Sequence, residues 1–164
     1  MSNDEKLMQE IDKTLGELGI PRNQRGYYYV RFALAFAAQY PSTNIPMCSV
    51  LYPTVAKEFG STPTRVERGI RRAIETAFDR CDAAVLKGYF GNTINPHKGK
   101  PTNSEFIFQI VGSIKHKTAR RAEQEALSDK LDAMRRDLLD DLLCERSIEY
   151  AATLKKYKEV RING

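Results

Sequence analysis

The chain has 164 residues, of which 41% are hydrophobic and 29% charged, so it can bury the core of about one domain with an appended element and is not disordered throughout. Its longest apolar run, residues 32–38, is far shorter than the roughly 20 residues of a membrane-spanning helix, and its polar N-terminus has no signal-peptide pattern. We therefore expect a cytoplasmic protein that does not enter a membrane. The three cysteines have neither a disulfide nor a metal-ligand spacing and are expected to be reduced and mostly packed: Cys48, Cys81 and Cys144.

The net charge of +5 is unevenly distributed along the chain. Residues 1–117 contain 16 lysines and arginines against 11 acidic residues, whereas residues 118–164 contain 10 of each. The whole surplus of positive charge therefore lies in the first part of the chain, where it favours a polyanionic partner.

Helical periodicity and turn residues predict a succession of helices. Apolar residues at helical spacing predict a first helix over 4–18, and an almost wholly apolar segment predicts a buried second helix over 25–40. A loop with a proline at each end, 41–46, precedes a third helix over 49–59. Pro53 should fall within about the first turn of that helix, where its missing N–H costs little.

The same signals continue after the third helix. Thr62 as cap and Pro63 as first residue predict a fourth helix that ends near Arg80. The capping box of residues 102–105 predicts the start of a further helix. No segment alternates as a strand would, so the predicted fold class is all-α. A short helix and a loop are expected between these two helices, at 83–90 and 91–101.

From about Ala119 phenylalanine disappears, and Leu, Ala, Arg, Glu and Asp dominate. This change predicts a long C-terminal helical extension, 118–164, beyond a domain of residues 1–117. Two interpretations of its apolar stripe stay open: the stripe folds back on its own domain, or it pairs with another copy as a short coiled coil, in which Asp141 interrupts the heptad. The apolar stripe consists of Leu127, Leu131, Met134, Leu138 and Leu142.

Only residues 60–62 separate the third and fourth helices, which is the spacing of a helix-turn-helix motif. A helical wheel divides the fourth helix into an apolar face and a polar face, and a DNA recognition helix needs that division. An ordinary solvated helix also has an outer face rich in Arg and Glu, so the spacing alone leaves both interpretations open. The apolar face consists of Val66, Ile70, Ala73, Ile74 and Ala77.

The polar face of the fourth helix offers the groups that DNA recognition uses. Arg68 and Arg71 each suit a bidentate contact with guanine, and Glu67 suits the amino group of cytosine. Thr62 and Thr64 lie at the helix start, where hydroxyls and free N–H groups bind phosphate. The face therefore has the chemistry for contacts with both base edges and backbone.

Residues 61–75, with Arg-Val-Glu-Arg at 65–68, closely resemble the recognition-helix segment of the C-terminal effector domain of the stage zero sporulation protein A family. Lys-Pro-Thr-Asn-Ser-Glu-Phe at 100–106 agrees as well, and the resemblance covers roughly residues 7–115. It implies a six-helix, all-α domain that binds a short G·C-containing element in double-stranded DNA and controls transcription near RNA polymerase. Further segments that agree are 25–31, 51–56 and 90–93.

The resemblance also implies a role for individual residues. By motif match, Glu67, Arg68 and Arg71 would contact bases. The family tends to have alanine where this chain has Gly69, and glycine costs a helix about 1 kcal/mol relative to alanine. It tends to have histidine where this chain has Arg72, which adds charge. The residues that would contact phosphate are Thr62, Thr64, Arg65, Arg72 and Lys100.

The family places a phosphorylatable receiver domain before this effector, whereas here the resemblance begins almost at Met1. We therefore expect a transcription regulator that is not controlled by phosphorylation of its own receiver. The alternative is a receiver-less interaction protein that modulates a related regulator or RNA polymerase through its C-terminal helix. The same helix is also a candidate for homodimerisation.

Other polar residues give no sign of catalysis. The sequence has no phosphate-binding glycine loop, nucleophile elbow or zinc-protease motif, so we expect no enzyme activity, no metal and no cofactor. His97 and His116 are 19 residues apart and are expected to be a loop residue and a helix-end residue.

Overall fold

A computed structural model of the chain describes residues 3–40, 44–91 and 99–162. Within these ranges the structure is helical and contains no strand, which confirms the all-α prediction. The predicted loops at 41–46 and 91–101 lie partly outside the described residues, and His97 lies wholly outside them. The helices are α1 (Asn3–Glu17), α2 (Arg25–Gln39), a π-helical turn (Met47–Leu51), α3 (Tyr52–Glu58), α4 (Pro63–Arg80), α5 (Ala83–Phe90) and α6 (Asn103–Ile162).

The third helix begins differently from the prediction. Instead of one α-helix over 49–59, a π-helical turn leads into α3, and the N–H of Tyr52 donates to the carbonyl of Met47. Pro53 is the physical reason, because it has no N–H for the carbonyl four residues earlier and its ring crowds that position. The hydroxyl of Thr54 donates to the carbonyl of Val50 at 2.7 Å. Pro53 does lie at the start of α3, as its placement predicted.

An ionic cluster joins α1 to α2. The guanidinium of Arg31 donates to both carboxylate oxygens of Asp12, at 2.6 and 3.2 Å, and the hydroxyl of Tyr27 donates to the same carboxylate at 2.9 Å. The hydrogen bond from Arg31 is the main cause that holds the pKa of Asp12 below its usual value. The cluster therefore favours the folded state only while Asp12 is ionised.

We expect this cluster to contribute to acid unfolding. Folding lowers the pKa of Asp12. The contribution of the cluster to the free energy of unfolding is therefore present above the unfolded-state pKa of about 3.9, and it is lost as the pH falls through the lower folded-state pKa. Urea denaturation should show that Asp12→Asn costs about 1 kcal/mol or less at pH 6, the range for a partly exposed pair, and still less below pH 3. Glu58→Gln, which changes an exposed carboxylate on α3, should show no such dependence. An equal cost of Asp12→Asn at both pH values would contradict this assignment.

The backbones of α2 and α4 approach each other at two glycines. A Cβ atom on Gly26 would lie 2.5 Å from the carbonyl oxygen of Gly69, and a Cβ atom on Gly69 would lie 2.7 Å from the ring of Tyr29. Tyr29 is buried, and its hydroxyl donates to the Ser61 hydroxyl at 3.2 Å. Glycine at position 69 lowers the stability of the helix itself, but it also leaves room for the packed ring of Tyr29. Alanine at this position would press on that ring.

A polar cluster ties α5 to α1 and to the first part of α6. The hydroxyl of Tyr89 donates to the carboxylate of Glu17, and the ammonium of Lys117 donates to the same hydroxyl at 2.7 Å. Burial, followed by the hydrogen bond to Glu17, raises the pKa of Tyr89, so the phenol stays protonated at neutral pH. The ammonium also lies 4.2 Å from the centre of the Tyr89 ring, where a cation interacts with the π system.

The cysteine prediction holds for one residue only. Cys81 is half-buried, and its thiol donates to the carbonyl of Glu17 at 3.4 Å. Cys48 and Cys144 are exposed, so the prediction that they pack in the interior is wrong. Cys48 lies in the π-helical turn, and Cys144 lies in the part of α6 after residue 118, where every described side chain is exposed.

The chain divides into two compact units between Thr118 and Ala119. The first unit contains the buried core, which includes residues of α1 to α5 and the first part of α6. In the second unit every side chain described, from 119 to 156, is exposed. His116 lies within α6 rather than at a helix end, because α6 continues to Ile162. None of the described helices is both long enough and apolar enough to cross a membrane.

Candidate nucleic-acid interface

A tight turn connects α3 to α4 in the helix-turn-helix. Gly60 has a φ of +55°, the left-handed conformation that ends a helix. The N–H of Ser61 donates to the carbonyl of Ala56 at 2.8 Å, and the N–H of Gly60 donates to the carbonyl of Lys57 at 3.5 Å. These two bonds form a Schellman motif, which fixes the direction in which the chain enters α4.

The start of α4 agrees with its predicted cap. Thr62 has an extended backbone, its hydroxyl oxygen accepts the N–H of Arg65 at 3.3 Å, and Pro63 follows as the first helical residue. Thr62 and Thr64 are both exposed. The first turn of α4 therefore presents two hydroxyls beside N–H groups that no carbonyl of the helix accepts.

The inward face of α4 is the one predicted from its periodicity. All five of its apolar residues are fully buried, against α2 on one side and α3 on the other. The outward face cannot turn without exposing them, so its polar side chains are held in a fixed orientation. The buried residues are Val66, Ile70, Ala73, Ile74 and Ala77.

Four arginines on α4 are exposed, and three of them lie in its first three turns: Arg65, Arg68 and Arg72. Among the residues that the structure describes, none of the three makes an ion pair or a side-chain hydrogen bond. Glu67 is exposed on the same helix. This surface therefore carries three full positive charges whose hydrogen-bond donors are available to a ligand.

Arg71 is held more firmly than its neighbours. Its Nε donates to the carboxylate of Glu75 at 3.1 Å, and its Nη1 donates to the carbonyl of Pro101 at 2.6 Å. The side chain is 35% exposed. A guanidinium has five N–H donors, so three remain after these two bonds. Arg71 thus connects α4 to the segment that precedes α6 and still presents donors.

Asn103 is a functional candidate that the sequence did not reveal. It is buried, and its amide nitrogen donates to the Tyr52 hydroxyl at 3.1 Å and to the backbone carbonyl of Glu67 at 3.2 Å. Its buried side-chain oxygen has no partner among the described residues. The capping box around it predicted a helix start, which the reciprocal bonds of Thr102 and Glu105 confirm, but gave no sign of the contact with Glu67.

A cavity of about 520 Å³ lies between the outward face of α4 and the start of α6. Burial raises the pKa of Tyr52, so the phenol that lines this cavity is uncharged. The wall combines the side chains expected to contact bases with the polar start of α6. The lining residues are Met47, Tyr52, Thr64, Glu67, Arg68, Arg71, Thr102, Asn103 and Ser104.

Lys100 is paired within the chain. Its ammonium lies 2.6 Å from the carboxylate of Asp79, near the end of α4, and both side chains are partly exposed. A phosphate would have to compete with this carboxylate for the lysine. The described residues contain no group of acidic, histidine or cysteine side chains arranged to hold a metal ion.

A family model described as "Sporulation initiation factor Spo0A C terminal" matches residues 11–114. The matched segment begins within α1, includes the helix-turn-helix and ends within α6. It covers more than half of the chain, and it is a family of helical DNA-binding domains.

Proposed function

Since the chain belongs to the family of the sporulation initiation factor Spo0A C-terminal domain, whose members bind DNA and regulate transcription, we propose that α4 binds a short G·C-containing duplex element in the major groove. The observation that carries this proposal is the row of exposed, unpaired arginines on a helix whose opposite face is locked into the core. A recognition helix needs both properties, because its side chains must reach base edges from a rigid position.

Glu67, Arg68 and Arg71 are the residues that we assign to the bases. Arg68 is exposed and has no partner among the described residues, so it binds a guanine without breaking a contact in the protein. Arg71 keeps three free N–H groups and can donate two of them to a second base while it stays bound to Pro101. The carboxylate of Glu67 would accept from a cytosine amino group.

The phosphates would be bound at the two edges of this row. Thr62 and Thr64 offer hydroxyls and N–H groups at the helix start, where the helix dipole also attracts an anion. Arg65 and Arg72 flank the base-contacting residues and are free to pair with phosphate. Lys100 would exchange Asp79 for a phosphate oxygen.

Selection of bound sequences from a pool of random duplexes tests the proposal. We expect enrichment of one short element with at least one G·C pair at a fixed position. Single-stranded DNA of the same sequence should bind more weakly, because it lacks a major groove. A pool that binds with no enriched element would contradict sequence-specific recognition by α4.

Loss of a phosphate contact should weaken binding to every sequence alike. We expect Arg65→Ala and Arg72→Ala each to reduce the slope of log affinity against log salt concentration by about 1, with the ratio of specific to non-specific affinity nearly unchanged. Fluorescence anisotropy at several salt concentrations measures both quantities. Lys13→Ala, which removes a charge from the exposed surface of α1, should leave the slope unchanged. If Arg65→Ala and Arg72→Ala behave as Lys13→Ala does, these two arginines do not contact phosphate.

A further inference from the structure

Exposed large apolar side chains are concentrated in the second unit. Among the residues whose side chains the structure describes, two lie in the first unit, Tyr28 and Phe59, whereas ten lie between 127 and 154. The apolar stripe defined above is among these ten, and its side chains are 50–66% exposed. A continuous apolar surface on a helix surrounded by water is characteristic of a protein–protein contact.

We propose that the apolar stripe binds the same stripe of a second copy of the chain, and that the two helices run antiparallel. The second unit has 10 basic and 10 acidic residues, so two copies approach without net repulsion. The contact is isologous, with a two-fold axis between residues 132 and 133. This proposal does not depend on the DNA-binding function of α4.

The stripe sets the register. Leu131 and Leu138 occupy the a positions of a heptad, and Leu127 and Met134 occupy the d positions. In an antiparallel pair each a residue lies level with a d residue of the other helix. With the axis given above, Leu127 packs level with Leu138 of the second copy, and Leu131 packs level with its Met134. Four apolar layers result.

The charges beyond the stripe decide the direction. Arg120 occupies the d position before the apolar residues, and Glu145 occupies the a position after them. In a parallel pair each of these two residues would lie level with the identical residue of the second copy, and so would Asp141. Each such pair would bring two like charges together. In the antiparallel pair Arg120 lies level with Glu145 of the second copy, twice by symmetry. Asp141 then lies level with the uncharged Gln124.

The charged residues that flank the stripe also favour the antiparallel direction. Lys130 and Asp137 both occupy g positions, and Arg135 occupies an e position. A parallel pair brings a g residue next to the e residue of its partner, so Lys130 would meet Arg135 of the second copy. An antiparallel pair brings g next to g, so Lys130 meets Asp137 of the second copy. Charge complementarity thus favours a second, antiparallel copy as the occupant.

Sedimentation velocity of the full chain without DNA tests the contact. We expect a dimer at tens of micromolar, and at least a 10-fold weaker dimer for Leu131→Glu and for Leu138→Glu. Both residues are exposed, so these changes should leave the circular dichroism and the thermal unfolding of the first unit unchanged. Leu143→Glu is the matched control, because Leu143 is equally exposed but lies on the opposite side of the helix from the stripe.

A charge exchange tests the direction. Arg120→Glu should weaken an antiparallel dimer by about 10-fold because it places two glutamates at the same level, and so should Glu145→Arg by pairing two arginines. The double variant should restore the affinity. In a parallel dimer the single changes replace one like-charge pair by another, so neither weakening nor rescue follows. Absence of rescue would overturn the antiparallel arrangement.

Two other results would overturn the proposal itself. The first is a chain that stays monomeric at 100 micromolar. This result counts against the proposal even where the stripe of the monomer binds a different protein. The second is a dimer that Leu131→Glu and Leu138→Glu leave intact. Equal weakening by Leu143→Glu would show that the contact does not follow the stripe.

Discussion

Arg68→Ala is expected to lower the affinity for the preferred duplex by about 5- to 150-fold, which corresponds to the 1–3 kcal/mol of one bidentate base contact. The expected effect is large because Arg68 has no partner among the described residues, so its whole guanidinium is available to a base. Non-specific affinity should fall much less, since only one charge is lost. Titration of labelled duplexes with and without the selected element separates the two effects.

Two further variants sharpen this experiment. Arg68→Lys keeps the charge but loses the bidentate geometry, so it should lose selectivity at one base pair while its salt dependence stays normal. Arg80→Ala removes an exposed charge from the last turn of the same helix and should leave selectivity intact. If Arg68→Ala binds the selected element as selectively as the unchanged chain does, α4 is not the base-contacting helix.

Gly26→Ala is expected to destabilise the first unit by about 3 kcal/mol, the upper part of the range for overpacking a core. The new methyl group would lie 2.5 Å from the carbonyl oxygen of Gly69, a contact that neither rigid backbone can relieve by rotating a side chain. One of the two helices must therefore move. Denaturation in urea, with the change in midpoint converted by the slope, measures the effect.

Gly16→Ala is the matched control for this change. Gly16 lies in the last turn of α1, and a Cβ atom there would have no neighbour within 4 Å. Alanine at that position should be neutral or should stabilise the chain by up to about 1 kcal/mol. Equal stability of Gly26→Ala and Gly16→Ala would contradict the close approach of α2 and α4. Where Gly26→Ala still folds, a displaced α4 should also bind the selected duplex more weakly.

Local chemistry made much of α4 predictable. Its cap, its first proline and its inward face follow from Thr62, Pro63 and the spacing that begins at Val66, and each appears in the structure as predicted. These features depend on residues within one or two turns of each other, so the sequence contains all the information that determines them. The exposure of Arg68 follows in the same way from its place opposite the buried face.

Contacts between distant segments were not predictable in this way. Arg71 looks equivalent to Arg68 on a helical wheel, but 30 residues separate it from Pro101, whose carbonyl it binds. Asn103 is one polar residue in a capping box, and only the fold brings its amide to the backbone of Glu67. Gly26 and Gly69 have no local requirement for glycine, and the need arises where two helices meet. Periodicity describes one helix at a time and has no information about such pairs.

Two of the bonds that attach α4 to the segment at the start of α6 end on main-chain carbonyls, those of Pro101 and Glu67. Every amino acid supplies such a carbonyl, so a mutation of the Glu67 side chain leaves the amide of Asn103 bound where it was. Residue 67, which we assign to a base contact, is therefore free to vary without loosening this attachment of the helix. We therefore expect that single substitutions at residue 67 can change the preferred base while the rest of the domain keeps its fold.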